Sequence, residues 1–129
     1  MKPLLLFICL LAGNALLAQS APATLPEFAG RYTGDVYNGD DLDPITTTLR
    51  LAAGNRLTGE YLVQAEQFDY KGVISNIVFE DDYSMTGEWT DRFGEGLFHL
   101  EFSRDFSGFT GYWTSFDSDA QLPWNGKRQ

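Results

Sequence analysis

Leu57-Thr58-Gly59-Glu60-Tyr61, Met85-Thr86-Gly87-Glu88-Trp89 and Phe109-Thr110-Gly111-Tyr112-Trp113 are three copies of one pattern. Each has a large apolar residue, threonine, glycine, any residue, then an aromatic. A looser copy reads Tyr32-Thr33-Gly34-Asp35-Val36. Successive glycines lie 25, 28 and 24 positions apart, at 34, 59, 87 and 111. Two strands of about 8–10 residues with their turns fill about 25 positions, so one repeat is one β-hairpin. Four repeats then make about eight strands.

Alternation along the chain agrees. From Leu57 to Ala65 the odd positions carry Leu57, Gly59, Tyr61, Val63 and Ala65, while Thr58, Glu60 and Gln64 fill even ones. A period of two marks a half-buried strand. Ile45, Thr47, Leu49 and Leu51 share one face of another segment, and Phe98, Leu100 and Phe102 one face of a third. No apolar stripe at helical spacing lasts three turns, so no helix is expected after residue 20. The expected strands are 30–38, 44–52, 56–65, 68–79, 84–91, 96–103, 108–116 and 122–128, with the fourth open to a break at Ser75-Asn76. Asn38-Gly39-Asp40-Asp41, Ala53-Gly54-Asn55, Glu80-Asp81-Asp82, Phe93-Gly94-Glu95-Gly96 and Ser107-Gly108 supply turn chemistry between them.

A glycine inside a strand weakens it unless the backbone bends sharply or another group comes close. Four such positions at even spacing suit a sheet coiled shut, and closure removes unpaired edges. The expected fold is therefore all-β, a single antiparallel meander closed into a barrel of about eight strands. Its first and last strands should hydrogen-bond to each other. An open β-sandwich is the alternative.

The ends of the chain set its context. Residues 1–20 carry Lys2, the apolar run Leu4 to Ala12 and small residues at Ala18-Gln19-Ser20. This reads as a secretory signal peptide, too short to span a bilayer. Residues 21–27 read as a flexible leader and 28–129 as the β-barrel domain, secreted or periplasmic after cleavage. Cys9, the only cysteine of the 129 residues, lies in the signal. The remainder therefore has no disulfide framework, thiol nucleophile or cysteine-ligated metal. Loss of Lys2 with the signal moves the net charge from −9 to −10. That balance argues against nucleic acid and against an anionic membrane surface as partners.

The strand openings Phe28-Ala29-Gly30-Arg31-Tyr32, Leu57-Thr58-Gly59-Glu60-Tyr61 and Phe109-Thr110-Gly111-Tyr112-Trp113 resemble those of avidin-type barrels. More broadly they resemble small secreted calycin-like barrels, avidin-like and lipocalin-like. The terminal Trp124-Asn125-Gly126-Lys127-Arg128 resembles the closing strand of many small secreted β-domains. The resemblance implies a barrel and the binding of a small ligand or a protein. It does not imply biotin: where avidin-type proteins place an asparagine this chain has Gly34, and where they place a small hydroxyl residue it has Val63. Only Tyr61 matches.

Asp40, Asp41 and Asp43 crowd one turn, Glu80, Asp81 and Asp82 a second, and Asp117 and Asp119 a third. None follows the spacing of an EF-hand loop, and all read as solvated turns. Glu60 and Glu88 occupy the same outward slot of two repeats. A hydrolase using such surface carboxylates is the enzymatic alternative, but the expectation is no enzyme. His99, the only histidine, falls on the polar face with Leu97 and Glu101, and no Gly-x-Ser-x-Gly elbow accompanies it. No metal and no cofactor are expected. Tyr37, Leu62, Tyr112, Leu97 and Phe79 are assigned to the outer face.

The aromatics are the most informative group. Tyr32, Tyr61, Trp89, Trp113 and Trp124 lie beside glycines or two residues beyond them on the inward face, and should gather toward one end. They are the candidate ligand-binding residues, with tyrosine hydroxyls and indole N–H groups as polar handles. Two functions are compatible with the sequence. One is a non-catalytic barrel holding a small apolar or aromatic ligand, which requires a cavity of roughly 300 Å³ or more open at one end. The other is an acidic interaction module, such as an inhibitor of a basic secreted hydrolase, steered to its partner by charge.

Overall fold

The computed structural model describes residue 22 and residues 24–129. The signal-peptide reading of residues 1–20 lies outside the described residues. One helical turn, α1 (Leu25–Phe28), precedes nine strands. These are β1 (Gly30–Tyr37), β2 (Leu42–Ala52), β3 (Arg56–Gln64), β4 (Asp69–Phe79), β5 (Ser84–Asp91), β6 (Gly94–Phe102), β7 (Gly108–Ser115), β8 (Leu122–Pro123) and β9 (Gly126–Arg128).

Strands β1 to β7 pair in chain order, each antiparallel to the next. The ring is closed by β9, which pairs with β7 on one side and β1 on the other, at Tyr32 with Arg128 and Thr33 with Lys127. The backbone N–H of Asn125 donates to Asp35 O at 2.9 Å and that of Gln129 to Arg31 O at 3.0 Å, which extends the seam. The last expected strand, 122–128, is not continuous: it breaks at Trp124-Asn125 into β8, which adds a further pairing to β7, and β9, because the chain must cross from β7 to β1 to close the ring. The result is a closed eight-strand antiparallel barrel in meander order, not an open sandwich.

The repeated glycines serve the curl. A Cβ on Gly34, Gly59 or Gly111 would collide with the backbone of the neighbouring strand. At Gly87 it would meet the ring of Phe98 instead. The glycines thus let strands or rings approach more closely than a side chain allows.

Two further sequence expectations need correction. A bulge between Ser75 and Val78, with Asn76 at φ 52°, shifts the register of β4 against β5. Gly72 and Ile74 face inward before it, and Ile77 and Phe79 after it, so parity flips. Phe79 is therefore packed on the core, not on the outer face where strict alternation puts it. The second correction is the helix. Residues 25–28, read as strandless leader and domain edge, form α1, with Pro26 in its first turn. Leu25 and Phe28, one turn apart, are both buried, at 1% and 0% exposure. Two apolar residues separated by a single turn are too few for a helical stripe to show in a sequence.

The turn α1 plugs one end of the barrel. The Phe28 ring meets Phe79, Phe102 and Phe106 at centroid distances of 5.2, 4.9 and 5.0 Å. Tyr32 lies beneath, 5.5 Å from Phe102 and 5.4 Å from Phe109. Arg128 fastens the plug from the last strand. Its Nε donates to Phe106 O at 2.8 Å, its Nη1 to Ala29 O at 2.9 Å, and its Nη2 to Tyr32 Oη at 2.7 Å and Glu27 O at 2.5 Å. Four bonds from one guanidinium tie the helix, β1 and the β6–β7 loop together. Phe106 holds a left-handed backbone at φ 58°, a strained state for a bulky residue that the surrounding packing maintains.

Candidate functional site

The other end of the barrel is open. There the interior holds a cavity of about 540 Å³. Its mouth is formed by the segments joining β1 to β2, β3 to β4, β5 to β6 and β7 to β8.

Position within the repeat decides which end a residue faces. Val36, Tyr61, Trp89 and Trp113 each stand two residues after a repeat glycine, and all four line the cavity. Tyr32, Leu57, Met85 and Phe109 each stand two residues before one, and all four are in the core. Strands β1, β3, β5 and β7 run the same way round the barrel, so one offset always points to the mouth and the other to the plug. Of the sequence candidates, Tyr61, Trp89, Trp113 and Trp124 come together in the cavity wall. Tyr32 does not join them. It is 0% exposed beneath the plug, and its hydroxyl donates to Phe28 O at 2.8 Å. Burial pushes its ionisation upward, opposed by the Arg128 charge.

The indoles are fixed by the barrel itself. Trp124 Nε1 donates to Thr47 Oγ1 at 3.0 Å, Trp89 Nε1 to Thr114 O at 3.0 Å, and Trp113 Nε1 to Tyr37 O at 3.0 Å. Trp89 and Trp113 meet edge to face at 5.3 Å and 86°. Trp124 packs on Tyr61 and Phe98 at 5.3 and 5.7 Å, and so forms the boundary between the open half and the filled one. The expectation of free indole N–H handles is therefore corrected: each donor is already used on the wall. What the tryptophans offer the lumen is ring carbon.

The polar groups of the cavity are residues the sequence reading passed over. Asp43, taken for part of a solvated turn, faces inward at 6% exposure. It continues the face of Ile45, Thr47 and Leu49 by one more step of two. Asn38 organises the turn before it: its Oδ1 accepts from the N–H groups of Asp40 and Asp41 at 2.7 and 2.8 Å, and its Nδ2 donates to Asp43 Oδ2 at 2.8 Å. Asp91 likewise continues the inward face of Gly87 and Trp89. It accepts from the Tyr61 hydroxyl at 2.6 Å and the Phe93 N–H at 2.8 Å. Burial, then the bond to Asp91 and its charge, push the Tyr61 hydroxyl far above its ordinary range. Burial and the charges of Asp91 and Asp43 push Tyr70 up as well, and all three residues line the cavity. Extending the two-residue period through the acidic positions would have found both aspartates.

The rim is aromatic. Phe68, Tyr70 and Phe93 cluster there, with Tyr70 and Phe93 4.9 Å apart. The Arg92 guanidinium lies 5.2 Å from the Phe68 ring centre and 5.3 Å from that of Phe93. Phe93 is 61% exposed, and Leu42 and Phe116 at the same end are comparably open.

His99 is on the outer wall. Its Nδ1 is 3.0 Å from Glu80 and its Nε2 3.3 Å from Glu101, and it stacks on Tyr112 at 5.4 Å. Glu60 is also outside, paired with Arg50 at 3.0 Å. No protein-family model, curated protein or solved structure matches this chain.

Proposed function

We propose that this chain is an exported, non-catalytic binding barrel that holds a small ligand with an apolar or aromatic body at its mouth. The observation that carries the reading is the unfilled half of the interior. Eight strands enclose a space that side chains can fill or that can hold one small molecule. Here Phe28 and its neighbours fill one half, while about 540 Å³ walled by Tyr61, Trp89, Trp113 and Trp124 is left at the other. That volume suits a small organic ligand, for which pockets of about 300–1,000 Å³ are usual. The calycin-like resemblance supports the same use of the barrel mouth. Export draws its support from the signal-like residues 1–20. The non-catalytic part is supported by the placement of His99 on the outer wall, away from the cavity. The alternative, an acidic module docking on a basic secreted protein, gives the cavity no role.

Titration with N-phenyl-naphthylamine, an uncharged dye that brightens in apolar surroundings, tests the reading. The expected result is saturable enhancement with one dye per chain. Ala65→Trp, which adds an indole to the cavity wall, should abolish it. Absence of saturable enhancement in the native chain, or equal enhancement in the Ala65→Trp chain, overturns the proposal.

A further inference from the structure

The cavity wall is unusually one-sided in its polar chemistry. Asp41, Asp43, Glu66 and Asp91 line it, and among the described residues no lysine, arginine or histidine does. Among the described residues the ion pairs are Arg50 with Glu60 and His99 with Glu80 and Glu101, all away from the cavity. Asp43 is thus a carboxylate more than nine-tenths buried with no cationic partner. Among the described residues its one side-chain donor is the Asn38 amide. Burying such a group is costly unless an opposite charge or enough donors meet it. The indole N–H groups cannot help, because they are spent on Thr47, Thr114 and Tyr37. The charged groups of the wall are therefore all acceptors, its donors are the neutral Tyr61 and Tyr70 hydroxyls and the Asn38 and Gln67 amides, and an occupant must bring the positive charge.

The charge distribution of the whole barrel points the same way. The mouth segments 38–43, 64–69, 91–95 and 115–121 hold nine carboxylates and one cation, Arg92. The plugged-end segments 24–29, 52–56, 79–84, 102–108 and 126–129 hold five carboxylates and four cations. A cleft of one sign with low-dielectric walls concentrates ions of the other sign at its entrance. Aromatic faces attract cations as well, through the negative face of the ring quadrupole. Arg92 already lies over two rim rings in this manner.

We infer that the ligand is an organic cation, an amine or quaternary ammonium on an apolar or aromatic body, with its charge at Asp43 and its body among Trp89, Trp113 and Trp124. This rests on the reading of the barrel as a ligand carrier and adds the sign of the ligand. Selectivity then follows from the wall: a neutral analogue leaves Asp43 unmatched, and an anionic one is repelled by it.

Calorimetric titration with three compounds sharing one body tests this: naphthylethylammonium, naphthylethanol and naphthylacetate. The ammonium is expected to bind about tenfold or more tightly than the alcohol, with the acetate weakest. High salt should narrow the gap in the native chain, since salt screens the mouth field. Asp43→Asn, which keeps shape and the bond from Asn38, should remove most of the advantage of the ammonium over the alcohol. If the alcohol or the acetate binds as tightly as the ammonium to the native chain, the cation inference falls and the carrier reading stands. If Asp43→Asn folds and keeps the preference, the assignment to Asp43 falls. If none of the three compounds binds, both readings fall together.

Discussion

Two residues before each repeat glycine the side chain points into a half of the barrel packed with buried side chains, and two residues after it the side chain points into a cavity. Leu57, Met85 and Phe109 belong to the first set, and Tyr61, Trp89 and Trp113 to the second. The residue types are similar and the strands are the same. The difference lies in what covers each end. The plugged end receives Leu25 and Phe28 from α1 and Phe106 from the β6–β7 loop, all held by the Arg128 guanidinium. The mouth receives only loops, and these carry acids and exposed rings. Packing and open space are thus divided between the two ends of one barrel: the filled end supplies the packing, and the open end keeps a buried carboxylate, Asp43, that packing alone would disfavour.

The division is sharp enough to be broken by measurement. The largest effect is expected at the plug. Phe28→Ala should cost about 3–5 kcal/mol in urea unfolding, because it leaves a cavity among three rings. A loss below about 1 kcal/mol would mean that the helical turn is not part of the cooperative unit. Arg128→Ala should follow, at about 2–3 kcal/mol, by leaving the carbonyls of Phe106 and Ala29 without their donor. Dye binding at the mouth should persist in both variants under conditions where they remain folded.

A pH effect is expected next, and it comes from both ends. Tyr32, Tyr61 and Tyr70 all ionise at higher pH in the folded chain than the ordinary tyrosine, chiefly because of burial. A group whose folded value is raised stabilises the fold fully below its unfolded value, about 10 for tyrosine, and that contribution is lost as pH rises past it. The urea midpoint should therefore be insensitive to these groups near neutrality and fall in strong alkali. Tyr61→Phe should make the fall shallower, and an unchanged alkaline slope in that variant would remove Tyr61 from the account.

The smallest stability change is expected at Asp43. Asp43→Asn should leave the unfolding free energy within about 1 kcal/mol of the native chain, on the stabilising side, because the buried carboxylate is replaced by an amide and its bond from Asn38 is kept. A destabilisation like that of Arg128→Ala would show that Asp43 is structural and would erase the contrast between the ends.

Most of the architecture is legible in the chain before it folds. Alternation and turn residues place the first seven strands to within a few positions, because strand faces repeat every second residue and turns need particular residues, but not the split of 122–128 into β8 and β9. The evenly spaced glycines foretell closure, since close approach between strands is a local demand on residue type. The bulge at Asn76 is visible only as a weak point, and its effect on Phe79 is not, because flipping parity is a matter of pairing with β5.

What the sequence by itself determined is the barrel and the aromatic character of its inner wall. The tertiary structure alone decided which end is sealed, and hence that Tyr32 is core while Tyr61, Trp89, Trp113 and Trp124 surround a cavity. It also decided that the indole N–H groups are spent and that Asp43 lies inside without a cation. The physical reason is that periodicity records only which face of a strand a residue occupies. Filling of space and pairing of charge depend on groups brought together from opposite ends of the chain, such as Phe28 with Phe102 and Trp124 with Thr47.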